Sequence, residues 1–264
     1  MLAAFSSELV KLRRRGVLLW GLGGGLLFTV LATVFTIERA VNTLQPGFHG
    51  HGFRVTVAQL SQPDGLVHGV VDVSNLVGIV ALCLFAGATA SEYSQGTLRN
   101  LLIRQPRRAE LLSGKFLALA LFIALAVLLA IAVAAGVAFA LAPGKGIHTS
   151  AWTSSTGLND LWHSILHVYL ACVGYGILGT ALAVLLRSPG VAIALGVAWV
   201  LPIEAIITGA IWSNGDRWLP GQLLSALAHG GNSSSSYAHA LVTLTVYAVL
   251  TAIGTLLLFQ RRDA

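Results

Sequence analysis

Few side chains in this sequence are equipped for chemistry, and they are unevenly placed. Eight histidines, His49, His51, His68, His148, His163, His167, His229 and His239, are the obvious candidates for binding a metal or a proton. His163 and His167 are spaced to share one helical face, and His49 and His51 flank a glycine. No acid or thiol clusters with them in sequence, so a merely polar role stands beside a transition-metal or pH-sensing one. Glu204, in VLPIEAIITG, is the one acid deep inside an apolar run, two residues after Pro202. A central charge costs about 2.5–3.5 kcal/mol on insertion scales, so this carboxylate must face a cavity, meet a partner or take a proton. A hydrogen-bonded structural role and a place on a translocation path both fit, with Pro202 marking a kink. Cys83 and Cys172 fall in apolar runs and read as small core residues.

Nucleotide chemistry is missing from the pattern. A phosphate loop needs glycines ending in Lys and Ser or Thr after a strand. The two glycine clusters, GLGGG at 21–25 and GKG at 144–146, lie instead in an apolar run and a loop. There is also no His-Glu-x-x-His pair and no membrane-embedded Gly-x-Ser with a facing histidine. The expectation is a chain that is not an enzyme and binds no cofactor or metal of its own.

The elements that must carry these residues follow from composition. The chain is 56% hydrophobic and 10% charged, with a mean hydropathy of +0.80. Soluble proteins carry roughly 25% charged residues, so the deficit points to a membrane protein. Six apolar runs, 16–37, 69–90, 116–142, 163–186, 190–212 and 240–259, reach the ~20 residues that a helix needs to cross a hydrocarbon core. Without water to satisfy the backbone they must be helices, since no alternating barrel pattern occurs. The expected fold is all-α, one polytopic domain over residues 1–264 with six transmembrane helices.

Basic residues set the orientation. Twelve of the 16 lysines and arginines, from Lys11 and Arg13–Arg15 through Arg99, Arg104, Arg107, Arg108, Lys115 and Arg187 to Arg261 and Arg262, fall on one side of these runs. Arg39, Arg54, Lys145 and Arg217 fall on the other. The positive-inside rule places both termini and segment 91–115 in the cytoplasm, in a multi-pass protein of the cytoplasmic membrane. The net charge of +6 then reads as topology and contact with anionic lipid, with no nucleic-acid partner. Leu2, Phe5, Leu9 and Leu12 recur at helical spacing ahead of the first run, so residues 1–15 suit an amphipathic interfacial helix. No cleavage pattern follows that run, which reads as a retained crossing.

The outward segments 38–68, 143–162 and 213–239 are short for a cored domain. Trp152, Trp162, Trp212 and Trp218 sit where an interfacial aromatic belt would lie. RWLPGQLLSALAHG, ending at Gly230, suggests a short re-entrant or surface helix before the last crossing.

Segment 91–115, SEYSQGTLRNLLIRQPRRAELLSGK, is the longest polar interval between apolar runs. Gly96 and Thr97 mark a helix start, and Leu98, Leu101 and Leu102 form an apolar face opposite Arg99, Asn100 and Arg104. Pro106 ends that helix, and residues 107–115 begin the next. A short helix with apolar anchors and arginines suits a groove in a partner, though a helix lying among headgroups fits too.

The run Glu92, Tyr93, Gly96, Thr97, Leu98, Arg99, Leu102, then Pro106, Arg108, Leu111, Leu112, Gly114 and Lys115 resembles the signature of ABC transporter permeases of the type-2 exporter class. That family has an E-Y/F-x-x-G-T-x-R/K segment, a proline, and an R-x-x-L-L-x-G-K lead into the third crossing. Gln105 departs from the small or apolar residue common before the proline. The resemblance implies a permease half that pairs with a second half, either an identical or a related chain. It also implies two cytoplasmic ABC ATPase subunits, which bind ATP and Mg. Segment 91–115 would then be the coupling loop, with Arg187 in a second contact. The implied activity is export of a hydrophobic or amphipathic compound, such as a drug, antibiotic, peptide or lipid, with multidrug or antibiotic resistance as a consequence. The alternative is a membrane scaffold or sensor that binds an ATPase and moves nothing.

Overall fold

A computed structural model describes residues 5, 8, 10–12, 16, 21–41, 55–96 and 108–261. The described chain is helical: α1 (Gly23–Glu38), α2 (His68–Asp72), α3 (Ser74–Ser94), α4 (Arg108–Leu141), α5 (Ser155–Leu186), α6 (Pro189–Ile211), α7 (Pro220–Ala228) and α8 (Tyr237–Arg261). Among the described residues, α3, α4, α5, α6 and α8 are long and apolar enough to cross a membrane. The protein is therefore a helical, membrane-embedded one. The apolar α1 has 16 described residues and falls short of that length.

The helices extend past the apolar runs for local reasons. α4 starts at Arg108, ahead of the run at 116, and its 34 residues span about 51 Å at 1.5 Å per residue. That exceeds a ~30 Å hydrocarbon core, so its charged first turns lie beyond it. α5 begins eight residues before its expected start because Ser154 caps it, its hydroxyl accepting from Gly157 N at 3.1 Å. The run expected at 69–90 is instead broken at Val73 between α2 and α3. α6 is α-helical over Pro189–Ala198, then widens into π-type turns at Trp199–Ile203 and Ile207–Ile211 on either side of Glu204–Ile206. Pro202 lies in the first of them, where its missing N–H perturbs the helical ladder.

α3 and α5 form the closest pair. A Cβ at Gly179 would sit 2.5 Å from the Leu82 carbonyl oxygen, so only glycine permits that approach. Phe85, Leu119, Phe122, Ile123, Val168 and Cys172 fill the space between α3, α4 and α5. α1 packs on α2 and α4, α6 on α3 and α5, and α7 on α5 and α8. Leu27, Phe28, Leu31 and Phe35 of α1, and Val242, Val246, Val249, Leu250, Ile253 and Leu257 of α8, remain exposed, as lipid-facing residues would.

Two expectations are corrected. Trp152 is no belt residue: it is 1% exposed, its indole donates to the Leu60 carbonyl at 2.8 Å, and Phe139 meets it edge-on at 5.2 Å. With Ile37, Leu60, Leu66, Ala138 and Ile147 it forms a small core capping this end of the bundle. Trp162, Trp212 and Trp218 are exposed, as a belt requires. Of the re-entrant and surface readings of RWLPGQLLSALAHG, the surface one does not hold, because Leu223, Leu224, Ala226 and Leu227 of α7 are all buried against the bundle.

Candidate functional site

Two groups of functional side chains lie at different depths. The first gathers where α3 ends and α4 begins. Glu92 and Tyr93 occupy the last turn of α3, and Gly96 closes that helix with φ at +66° while its N–H donates to the Tyr93 carbonyl at 3.2 Å. Gly96 thus closes α3, and a left-handed closing residue is what glycine serves best; the helix expected to start at Gly96 and Thr97 would run through residues outside the described ones. Thr97, Leu98, Arg99, Leu101, Leu102, Arg104 and Pro106 lie outside the described residues. Arg108 opens α4.

Glu92 does not face outward. It is 7% exposed, and one of its carboxylate oxygens is 2.8 Å from both Lys11 Nζ and Lys115 Nζ. Lys11 Nζ also meets Glu8 at 2.6 Å, and Lys115 Nζ lies 3.5 Å from Glu8 and donates to the Ala88 carbonyl at 2.9 Å. These ion pairs tie Glu8 and Lys11 of the N-terminal segment to α3 and α4. Burial opposes the Lys11 charge, but Glu8 and Glu92 outweigh it and hold the ammonium above its ordinary value of 10.5. Sequence reasoning placed Glu92 at a partner's surface and missed Glu8, Lys11 and Lys115 as its neighbours. The available signal was scarcity, since buried charges in so apolar a chain have to pair.

Beside this network Arg187, the residue joining α5 to α6, lies over the Tyr93 ring at 5.6 Å. Its φ of 54° is left-handed, an uncommon conformation for a residue with a Cβ. Tyr93 meets Phe259 of α8 edge-on at 6.3 Å, and Leu111, Leu112 and Val184 complete the packing. Glu92, Tyr93 and Arg187, separated in sequence, are therefore brought together, and four helix ends share one anchor.

The second group centres on Glu204. Its carboxylate is fully buried and accepts from Gly221 N at 2.9 Å through one oxygen and from Gln222 N at 3.0 Å through the other. α7 has Pro220 in its first turn, so the amides of Gly221 and Gln222 are its unpaired donors, and the carboxylate satisfies both. Next to this cap, Tyr175 donates to Asn75 at 3.0 Å and packs with Ile79, Leu82, Val200 and Leu224.

The histidines are spread along the far end. His163 and His167 stack at 6.1 Å, His167 meets Tyr237 at 4.5 Å, and His68 lies 3.4 Å from Asp64. His229 and His239 bond to backbone carbonyls, and His49 and His51 lie outside the described residues. Among the described residues, no group of three or more His, Cys, Asp or Glu could hold a metal ion. Both cysteines are free thiols.

A family model described as "Protein of unknown function (DUF2705)" matches residues 61–264. The chain belongs to the DUF2705 family. No curated protein matches it. The DUF2705 match takes in Glu92, Lys115, Arg187, Glu204 and the whole of α7, while Glu8 and Lys11 precede it.

Proposed function

We propose that this DUF2705 protein is the membrane-spanning permease subunit of an ATP-driven exporter of the ABC type-2 class. In this reading α1 is the first of six crossings, residues 1–15 lie in the membrane interface, and both termini are cytoplasmic. Segment 91–115 is the coupling loop that a cytoplasmic ABC ATPase grips, a second permease half completes the pore, and the cargo is hydrophobic or amphipathic. ATP and Mg act on the partner; nothing in this chain's sequence is built to hold them.

The observation that carries the reading is the run E-Y-x-x-G-T-L-R followed by P-R-R-x-E-L-L-x-G-K, together with how its two roots are held. Glu92 on one side and Lys115 on the other are 2.8 Å apart in a buried ion network. A loop fixed at both roots passes a push on to two helices, where a loosely attached loop would absorb it. Glu92 is then an anchor of the lever and not a surface contact. The pushing partner supplies the differential contact that shifts the membrane helices between arrangements.

The test is reconstitution with candidate ATPase subunits. Cargo-stimulated ATP hydrolysis, and ATP-dependent uptake of a lipophilic compound into inverted vesicles, are the expected results. Assembly with an ATPase but no transport in either direction would replace the exporter by a scaffold, and no assembly at all would end both readings.

A further inference from the structure

We infer that Glu204 is a positioning residue that hands displacement of α6, arising at its Arg187 end, to α7; its use in gating rests on the permease reading, while the coupling itself does not. The buried face of α6 is a single stripe. Only Ala192, Gly196, Val200 and Glu204 are buried along the helix, each four residues after the last. The first three are small or modest apolar residues with no directional bond to make, a surface along which a helix can slide. Glu204 is different: two backbone amides of α7 bind it at 2.9 and 3.0 Å. A shift of α6 therefore repacks apolar contacts that carry no directional bond, but at Glu204 it must either drag α7 along or break two buried hydrogen bonds.

Three further features fit that role. α6 starts one residue beyond the Arg187–Ser188 link, and Arg187 rests on Tyr93, so its near end is attached to the last turn of α3. π-type turns bracket Glu204 on both sides, and such turns recur where helices yield. The first turn of α7 is moulded to the carboxylate: a Cβ on Gly221 would stand 2.6 Å from Glu204 Oε2. The carboxylate also faces the positive end of the α7 dipole, which favours this pairing over any apolar neighbour.

Amide exchange read by mass spectrometry on the full chain in lipid nanodiscs, with no ATPase present, tests the coupling. Glu204→Gln is expected to speed exchange in the first turn of α7 by about tenfold, the loss of roughly one buried hydrogen bond. Tyr93→Ala, at the other end, is expected to speed exchange in α7 in the wild-type background and to add nothing once Glu204→Gln is present. If Tyr93→Ala leaves α7 exchange unchanged, or changes it equally in both backgrounds, Glu204 is a local cap only and the inference fails. Should Glu204→Gln not fold, Gly221→Ala displaces the same carboxylate and serves in its place. These outcomes do not depend on transport, so a failed coupling and a failed permease reading are told apart.

Discussion

Glu92 and Glu204 are both buried acids on membrane-spanning helices, and the chain accommodates them by opposite means. Glu92 is held by two ammonium groups, Glu204 by backbone amides of a helix N-terminus. An ion network is strong in any orientation that keeps opposite charges near, so it suits a joint that must hold under load. A capped helix is directional and dissolves when its donors turn away. The first arrangement fastens, and the second can let go.

The contrast is most sharply broken at Lys115. Lys115→Met removes the ammonium 2.8 Å from Glu92, and is expected to cost about 3–5 kcal/mol, seen as a large fall in the unfolding temperature in detergent. Adding Glu92→Gln should restore a good part of that loss; a double variant as unstable as the single one would mean Lys115 acts by packing. Next comes Glu204→Leu, which strands two buried amides and should cost about 2–4 kcal/mol, concentrated in α7. Proteolysis and exchange would register it there before global unfolding does. Gly221→Ala is expected to cost about 1–3 kcal/mol by forcing the carboxylate aside, and Glu204→Gln combined with it should cost little more than either alone. Tyr93→Ala loses the Arg187 stacking and the Phe259 edge contact, about 1–2 kcal/mol together.

The smallest effect is one of pH. Since Lys11 has its affinity for a proton raised in the folded chain, its contribution is complete below pH 10.5 and fades as pH climbs beyond that value. Lys11→Met should flatten the alkaline decline in melting temperature, and an unchanged decline would assign it to other groups.

Hydropathy alone located five helices within a few residues at most ends, because in lipid an apolar run has no structure open to it but a helix. Its errors fall where polar groups are satisfied internally. The helix expected to begin within 107–115 is present as α4, but that its Lys115 would be buried against Glu92 and Glu8 could not be read from charge counting. Trp152 reads as an interfacial residue, but the acceptor for its indole is a backbone carbonyl at Leu60, invisible in any side-chain pattern. Glu204 was legible as a problem and not as a solution. Its partners are the main-chain amides of residues 221 and 222, and the sole hint is the Pro-Gly pair that opens α7. Glu92 and Lys115 were legible as motif residues, while their union through Glu8 and Lys11 needed the N-terminal segment brought back over 80 residues of chain.

The link between α5 and α6 is two residues long, Arg187 and Ser188. A connection that short leaves the two helices no freedom to enter a bilayer one after the other with slack between them. They must be threaded as a hairpin, with Arg187 at the bend. In the topology proposed above, its guanidinium is the group least willing to cross and keeps the bend on the side of synthesis while both apolar arms go in. The residue resting on Tyr93 in the finished protein would thus already have acted during biogenesis, as the brake that decides which way the hairpin points.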